Sequence, residues 1–323
     1  MMKSVIVCGT LAYDLIFKYD KSMSQHFNKD TNNISVSFLS KTYEKFYGGT
    51  ASNVAYGLSL LDIKSHILSS AGNDFYEFKK WLNKHNISTD WVIEPKNQMT
   101  PTCVIINDAN NNQVEVFYQG QSENYYKLSL LDKDISAFSY AVITPTDVEA
   151  MYTHAKECRQ MNIPYMFDPG FRLEHFNVNN LLFCCENSDI LIMNEHEYKT
   201  FLGIVDFTLE QALKLTTKTI ITRGSKGSTL YRNNQVLEIP IVKCTKIEDT
   251  TGAGDAYKSG VVMGILNNFD IEYSCKFGSV VSSFKVEANG SMGYSFNKKD
   301  FIGRYSKQFP LDNETINKLK IIV

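Results

Sequence analysis

Short runs of continuous apolar residues alternate along the chain with longer amphipathic stretches. The runs at 3–10, 65–71, 140–144, 164–167, 190–193 and 219–222 read as buried strands. The stretches at 51–61, 75–85, 148–161, 208–216, 253–267 and 273–287 read as helices. This alternation predicts an α/β fold, a mostly parallel sheet with helices on both faces. Some segments depart from it. Residues 34–38 alternate apolar and polar, as a half-exposed strand does. Residues 102–106 and 114–118 flank the polar stretch 107–113 and read as a hairpin. Strands of this kind, interrupting an α/β chain, predict a small separate sheet. A further hairpin is expected from 228–232 and 236–239, around Asn233-Asn234. No repeat or Pro/Gly/Ser-rich linker divides the chain, so 1–323 reads as a single domain.

Composition narrows the classes. The chain has 323 residues, 43% hydrophobic and 21% charged, which suits a globular protein. A net charge of −2 gives no reason to expect nucleic acid as a partner. No apolar run approaches the ~18 residues of a membrane span, so no membrane partner is expected. The apolar start 4–9 is too short for a signal peptide and Tyr13-Asp14 follows at once, which predicts a cytoplasmic protein. Seven cysteines without C-x-x-C spacing read as reduced thiols. Six histidines without H-x-x-x-H spacing disfavour zinc.

Two stretches carry candidate chemistry. In Asp249-Thr-Thr-Gly252-Ala253-Gly254-Asp255, two glycines bracket an alanine directly before a helix. A helix start presents unpaired N–H groups and the positive end of its dipole, and glycines let an anion come close. A carboxylate in the same turn can accept a proton from a hydroxyl. Together these suit phosphoryl transfer to an alcohol. The alternative is a glycine-rich helix start with Asp255 as a dipole partner. The second stretch, Gly48-Gly49-Thr-Ala-Ser-Asn53, leads into a helix whose Asn53 offers a donor and an acceptor to hydroxyls. A plain strand-to-helix turn is its alternative.

The two stretches in this order resemble the ribokinase-like (PfkB-type) sugar and nucleoside kinases. Gly48, Gly49 and Asn53 match the family's Gly-Gly-x-x-x-Asn, and 249–255 matches D-T-x-G-A-G-D without departure. The resemblance implies a three-layer α/β/α sandwich with a small β-sheet lid, here from about 14–47 and 99–120. It implies Asp255 as the base and Gly252, Ala253 and Gly254 as the cradle of the transferring group. It implies that Asp14, Gly48, Gly49 and Asn53 bind the acceptor. For ATP it implies Asn194, Thr222, Arg223, Gly224, Gly227 and Asn289, with Glu197 holding Mg²⁺ indirectly.

The insertion between Asp14 and Gly48, with its Asn33–Leu39 segment, is similar to the bacterial adenosine kinase branch. Phe38, Phe117 and Tyr118 are then candidates to stack on a purine. The expectation is a kinase converting adenosine to AMP. A sugar kinase of the same family and a catalytically silent binding protein on the same fold are the alternatives. The resemblance leaves open whether K⁺ is required and whether the chain is a monomer or a homodimer.

Overall fold

The computed structural model describes residues 4–26, 36–110, 112–120, 125, 127–233, 235–309 and 319. Its strands, in chain order, are β1 Ser4–Cys8, β2 Ala12–Tyr19, β3 Thr42–Gly48, β4 Ser65–Ser70, β5 Ile87–Ser88, β6 Val92–Ile93 and β7 Thr102–Asp108. They continue as β8 Gln113–Tyr118, β9 Phe138–Ile143, β10 Tyr165–Phe167, β11 Ile190–Asn194, β12 Lys218–Thr222, β13 Ser228–Arg232 and β14 Gln235–Ile239. The helices are α1 Thr50–Ser59, α2 Tyr76–Lys84, α3 Val148–Gln160, α4 Val178–Glu186, α5 Glu195–Val205, α6 Leu209–Ala212, α7 Ala253–Leu266, α8 Ile271–Val286 and α9 Lys298–Gln308.

The main sheet runs β14-β13-β12-β11-β10-β9-β1-β4-β5, with β6 also on β4. It is parallel from β5 to β12 and ends in the antiparallel hairpin of β13 and β14. Side chains of a strand point alternately to its two faces. Val5 and Val7 of β1 therefore pack with α1, α7 and α8 in one core. Ile6 and Cys8 pack with α3, α4 and α5 in the other. The central strands are covered on both faces, which is why they read as continuous apolar runs.

The smaller sheet has the order β3-β2-β7-β8, with β2 parallel to β7 and the other pairs antiparallel. The predicted hairpin forms as β7 and β8. The strand expected at 34–38 is a correction: residues 34 and 35 lie outside the described residues, and 36–38 form no strand. The strands that join the hairpin are β2 and β3. Much of both is only partly covered, so neither shows the clean alternation that the sequence reading sought. Helices α4, α5 and α9 also lay outside that reading. In α9 only Phe301 and Tyr305 are buried, one i, i+4 pair in a mostly polar segment. The helix expected over 208–216 closes after one turn, as α6.

Helices α7 and α8 pack closely because glycines line their contact. A Cβ on Gly260 would stand 2.6 Å from the Phe277 carbonyl oxygen, whereas one on Gly203 in α5 would meet nothing within 4 Å. Gly260→Val should therefore destabilise the protein by about 1–3 kcal/mol through overpacking. Gly203→Ala should stabilise it by up to about 1 kcal/mol through helix propensity. Urea unfolding of the two variants checks the contrast.

Candidate active site

The turn at 249–252 is built by Asp249. Its Oδ1 accepts from Thr251 N at 2.8 Å, and its Oδ2 accepts from Gly290 N at 2.9 Å. Fully buried Lys285 pairs with the same Oδ2 at 3.3 Å and donates to the Asp249 carbonyl at 2.7 Å. Burial alone would raise the Asp249 carboxyl, but the Thr251 bonds and Lys285 bring it below its usual value. Gly252 then takes φ +79° at the start of α7, where a side chain would also run into Ser291. At Gly254, two residues on, a Cβ would meet only open space.

That space is a cavity of about 530 Å³ at the carboxyl ends of the parallel strands, where open α/β sheets bind ligands. Gly252, Ala253, Gly254 and Asp255 line it, together with Asn194, Glu197, Thr222, Gly224 and Gly227. The N-terminus of α7 gives this wall partial positive charge and amide donors. Asn194 and Glu197 form the capping box of α5: Glu197 N donates to Asn194 Oδ1 at 2.8 Å, and Asn194 N donates to Glu197 Oε2 at 2.7 Å. Burial, and then the charge of Asp168, raise the Glu197 carboxyl above its ordinary value. Among the described residues no group of three or more His, Cys, Asp or Glu could hold a metal ion.

Asp255 is 7% exposed and held through both oxygens. Asn53 Nδ2 of α1 donates to Oδ2 at 2.8 Å, while Asn53 Oδ1 is left buried without a partner. Lys258 Nζ pairs with Oδ1 at 2.8 Å and also with Asp168, which follows β10. The Lys258 ammonium is buried, and the two carboxylates outweigh that burial and push its pKa up. Burial raises the Asp168 carboxyl although Lys258 opposes the shift. Neither Lys258 nor Asp168 is among the site residues the sequence predicts. The spacing of Asp255 and Lys258, three residues apart on one helix, was the available signal.

Asp14 lies on β2 opposite Phe46 and Cys103. A Cβ on Gly48 would stand 2.5 Å from Asp14 Oδ2, so the bare Gly48 backbone makes room for the carboxylate. Gly49 at φ +94° turns the chain from β3 into α1. Burial, with Asp249 and Glu115 nearby, pushes the Asp14 carboxyl up to about 6.

Other expected residues lie elsewhere. Arg223 does not line the cavity; it pairs with Glu238 on β14. Asn289 is exposed, and Ser279, Ser282, Ser283 and Val286 of α8 form that wall instead. Phe38 packs edge-on against Tyr19, with ring centroids 5.0 Å apart, and lines neither this cavity nor a smaller one beside it. Phe117 lines the smaller one; Tyr118, its exposed neighbour, does not.

Comparison with known proteins places this geometry. The profile of the pfkB family of carbohydrate kinases matches residues 2–297. A nucleoside kinase of Methanocaldococcus jannaschii is 30% identical over 291 residues, covering 90% of this chain and 92% of that protein. The structure of the Burkholderia thailandensis nucleoside kinase in complex with inosine superimposes with a TM-score of 0.86 at 25% identity, covering 95% of this chain and 99% of that one. An ATP-dependent 6-phosphofructokinase of Thermoanaerobacterium thermosaccharolyticum is 25% identical over 276 residues, covering 79% and 83%.

Two outcomes follow from the charges. The folded Asp14 carboxyl takes up its proton near pH 6, and the unfolded one near its ordinary 3.8. Between these values the folded state binds more protons, so this group lowers stability as pH rises through the window. Asp14→Asn should therefore raise Tm at pH 7 and above, and the advantage should vanish below the window; melting curves across pH check this. Lys258→Met leaves Asp168 and Asp255 buried without their counter-charge and should cost about 3–5 kcal/mol. Adding Asp168→Asn should recover part of that loss in a double-mutant cycle, and strictly additive losses would contradict the coupling.

Proposed function

The chain belongs to the pfkB family of carbohydrate kinases, and from that premise we propose that it transfers the γ-phosphoryl group of ATP to the 5′-hydroxyl of a purine nucleoside. The observation that carries the reaction is Asp255, held through both oxygens at the first turn of α7 beside the open Gly254. The acceptor oxygen attacks the γ-phosphorus as its proton passes to Asp255. The bond from that phosphorus to the bridging oxygen breaks, and its electron pair leaves with ADP. The α7 amides around Gly252–Gly254 stabilise charge on the transferring group without reorganising. Asn53 Oδ1, buried and unpartnered, would accept a hydrogen bond from the acceptor.

ATP would lie along Thr222, Gly224 and Gly227, against the α8 wall. Asn194 faces the same cavity. Mg²⁺, when bound with ATP, supplies charge neutralisation between the phosphates. The residues would fit an ion held mainly by phosphate and water, because Glu197 lines the cavity while its Oε2 is engaged in the α5 cap. Arg223 is assigned no part, since Glu238 holds it.

On the acceptor side, Asp14 would take the ribose hydroxyls, and the uncovered Phe117 ring would flank the base. Adenosine, the acceptor expected from the sequence, belongs to this class. The Asn33–Leu39 segment behind that expectation lies partly outside the described residues, and Phe38 lines neither cavity. A sugar kinase is the second reading, favoured by the similarity to a phosphofructokinase.

ATP turnover with adenosine, inosine, guanosine, ribose and fructose 6-phosphate separates the two readings. Turnover of nucleosides, with ribose and the sugar phosphate inert, is expected. In Asp255→Asn, kcat should fall by about 10²–10⁴-fold while ATP still binds. A variant with near-normal kcat would remove Asp255 from the mechanism.

A further inference from the structure

The smaller cavity holds a charged group for which the reaction has no use. It measures about 20 Å³ within about 300 Å³ of open cleft. Thr10, Phe117, Gln119, Asp147, Phe171 and Arg172 line it. It adjoins the main cavity: Phe171 lines both, and Thr10 Oγ1 donates at 2.8 Å to the carbonyl of Pro145, a residue of the main cavity wall. An acceptor whose hydroxyl reaches Asp255 can therefore extend toward it.

Two aromatic rings stand at the small cavity. Phe117 comes from β8 and Phe171 from the turn after β10, with centroids 6.3 Å apart and planes at 77°. They are 40% and 60% exposed. Uncovered ring faces beside a cleft suit a flat, aromatic ligand. Arg172 lies against them, its guanidinium carbon 5.8 Å from the Phe171 ring centre. It is only 8% exposed, and its buried Nε has no hydrogen-bond partner. A guanidinium stays charged at any working pH, and a buried donor without an acceptor is costly. The carboxylate on the same cavity, Asp147, has its Oδ1 taken by the α3 cap, accepting from Glu149 N and Ala150 N at 3.1 Å each. Arg172 Nε is thus a donor without an acceptor beside these aromatic walls.

We propose that Arg172 reads the O6/N7 edge of a 6-oxopurine, so that inosine or guanosine, rather than adenosine, is the preferred acceptor. The inference rests on the nucleoside reading above. A 6-oxopurine presents two adjacent acceptors, O6 and N7, which match the guanidinium fork; adenine presents N7 beside an amino donor. Against Arg172 the adenine amino group sets donor against donor, which discriminates by repulsion as well as by loss of a bond. Phe117 and Phe171 contact either purine and do not choose between them.

The test is kcat/KM for inosine, guanosine, adenosine, purine riboside (no O6) and 7-deazainosine (no N7), with wild type and with Arg172→Met. Wild type should favour inosine over adenosine and over purine riboside by about 5- to 150-fold, the worth of one bidentate arginine–purine contact. It should also favour inosine over 7-deazainosine. Arg172→Met should bring these ratios close to one, mainly by losing inosine turnover. Equal or better use of adenosine by wild type overturns the proposal, as does a preference that survives in Arg172→Met. If that variant fails to fold, the analogue series on wild type decides alone: purine riboside used as well as inosine overturns the proposal. A different pattern marks failure of the nucleoside reading itself. Fructose 6-phosphate would then be turned over with no nucleoside used, and Arg172→Met would abolish that turnover because the arginine meets a phosphate.

Discussion

The site depends on one buried ammonium. Lys258 stands between Asp168, at the end of β10, and Asp255, in the first turn of α7. Two carboxylates this close would repel; the ammonium between them supplies the counter-charge. Through Asp255 the network continues to Asn53 on α1. Three elements from different parts of the chain are thus tied at the carboxyl edge of the sheet. Buried ion pairs add little net stability over apolar packing, but removing one partner is expensive. What this pair does here is fix the Asp255 carboxylate in the wall of the cavity.

The same edge manages charge by position. Asp249 closes the turn before α7 with Lys285 and the Gly290 amide, so its charge is spent on structure. Asp14 pairs with no cation among the described residues: it sits on the smaller sheet beside a glycine that makes room for it, and its carboxyl is pushed up to about 6. Glu197 is divided between the α5 cap and the cavity. Each carboxylate of the region therefore has a different environment, and differences of that kind are what set the chemistry of such groups apart.

Much of the architecture was legible because it is written in local signals. Continuous apolar runs alternating with amphipathic stretches specify a sheet covered on both faces, and β1, β9, β11, β12 and β13 appear within a few residues of their expected places. The glycine turns before α1 and α7 were legible for a similar reason. A positive φ or a close backbone approach admits little else, so Gly49 and Gly252 mark their turns wherever the chain folds. Strands β2 and β3 and helices α4, α5 and α9 were not read. Their buried stripes are narrow or mixed.

The sequence by itself determined the layered α/β fold, the glycine-rich start of α7 and the acid in its first turn. Spacing and residue type are sufficient for those, since each is decided within a few residues. Only the tertiary structure decided the partners of side chains. It set Lys258 against Asp168, tied Arg223 to Glu238 and turned Phe38 onto Tyr19. It also brought Phe171 and Arg172 beside Phe117 of the smaller sheet. Those pairings join residues from separate elements, and a charged or aromatic side chain takes the partner that packing places within reach. No local pattern in the chain encodes which partner that is.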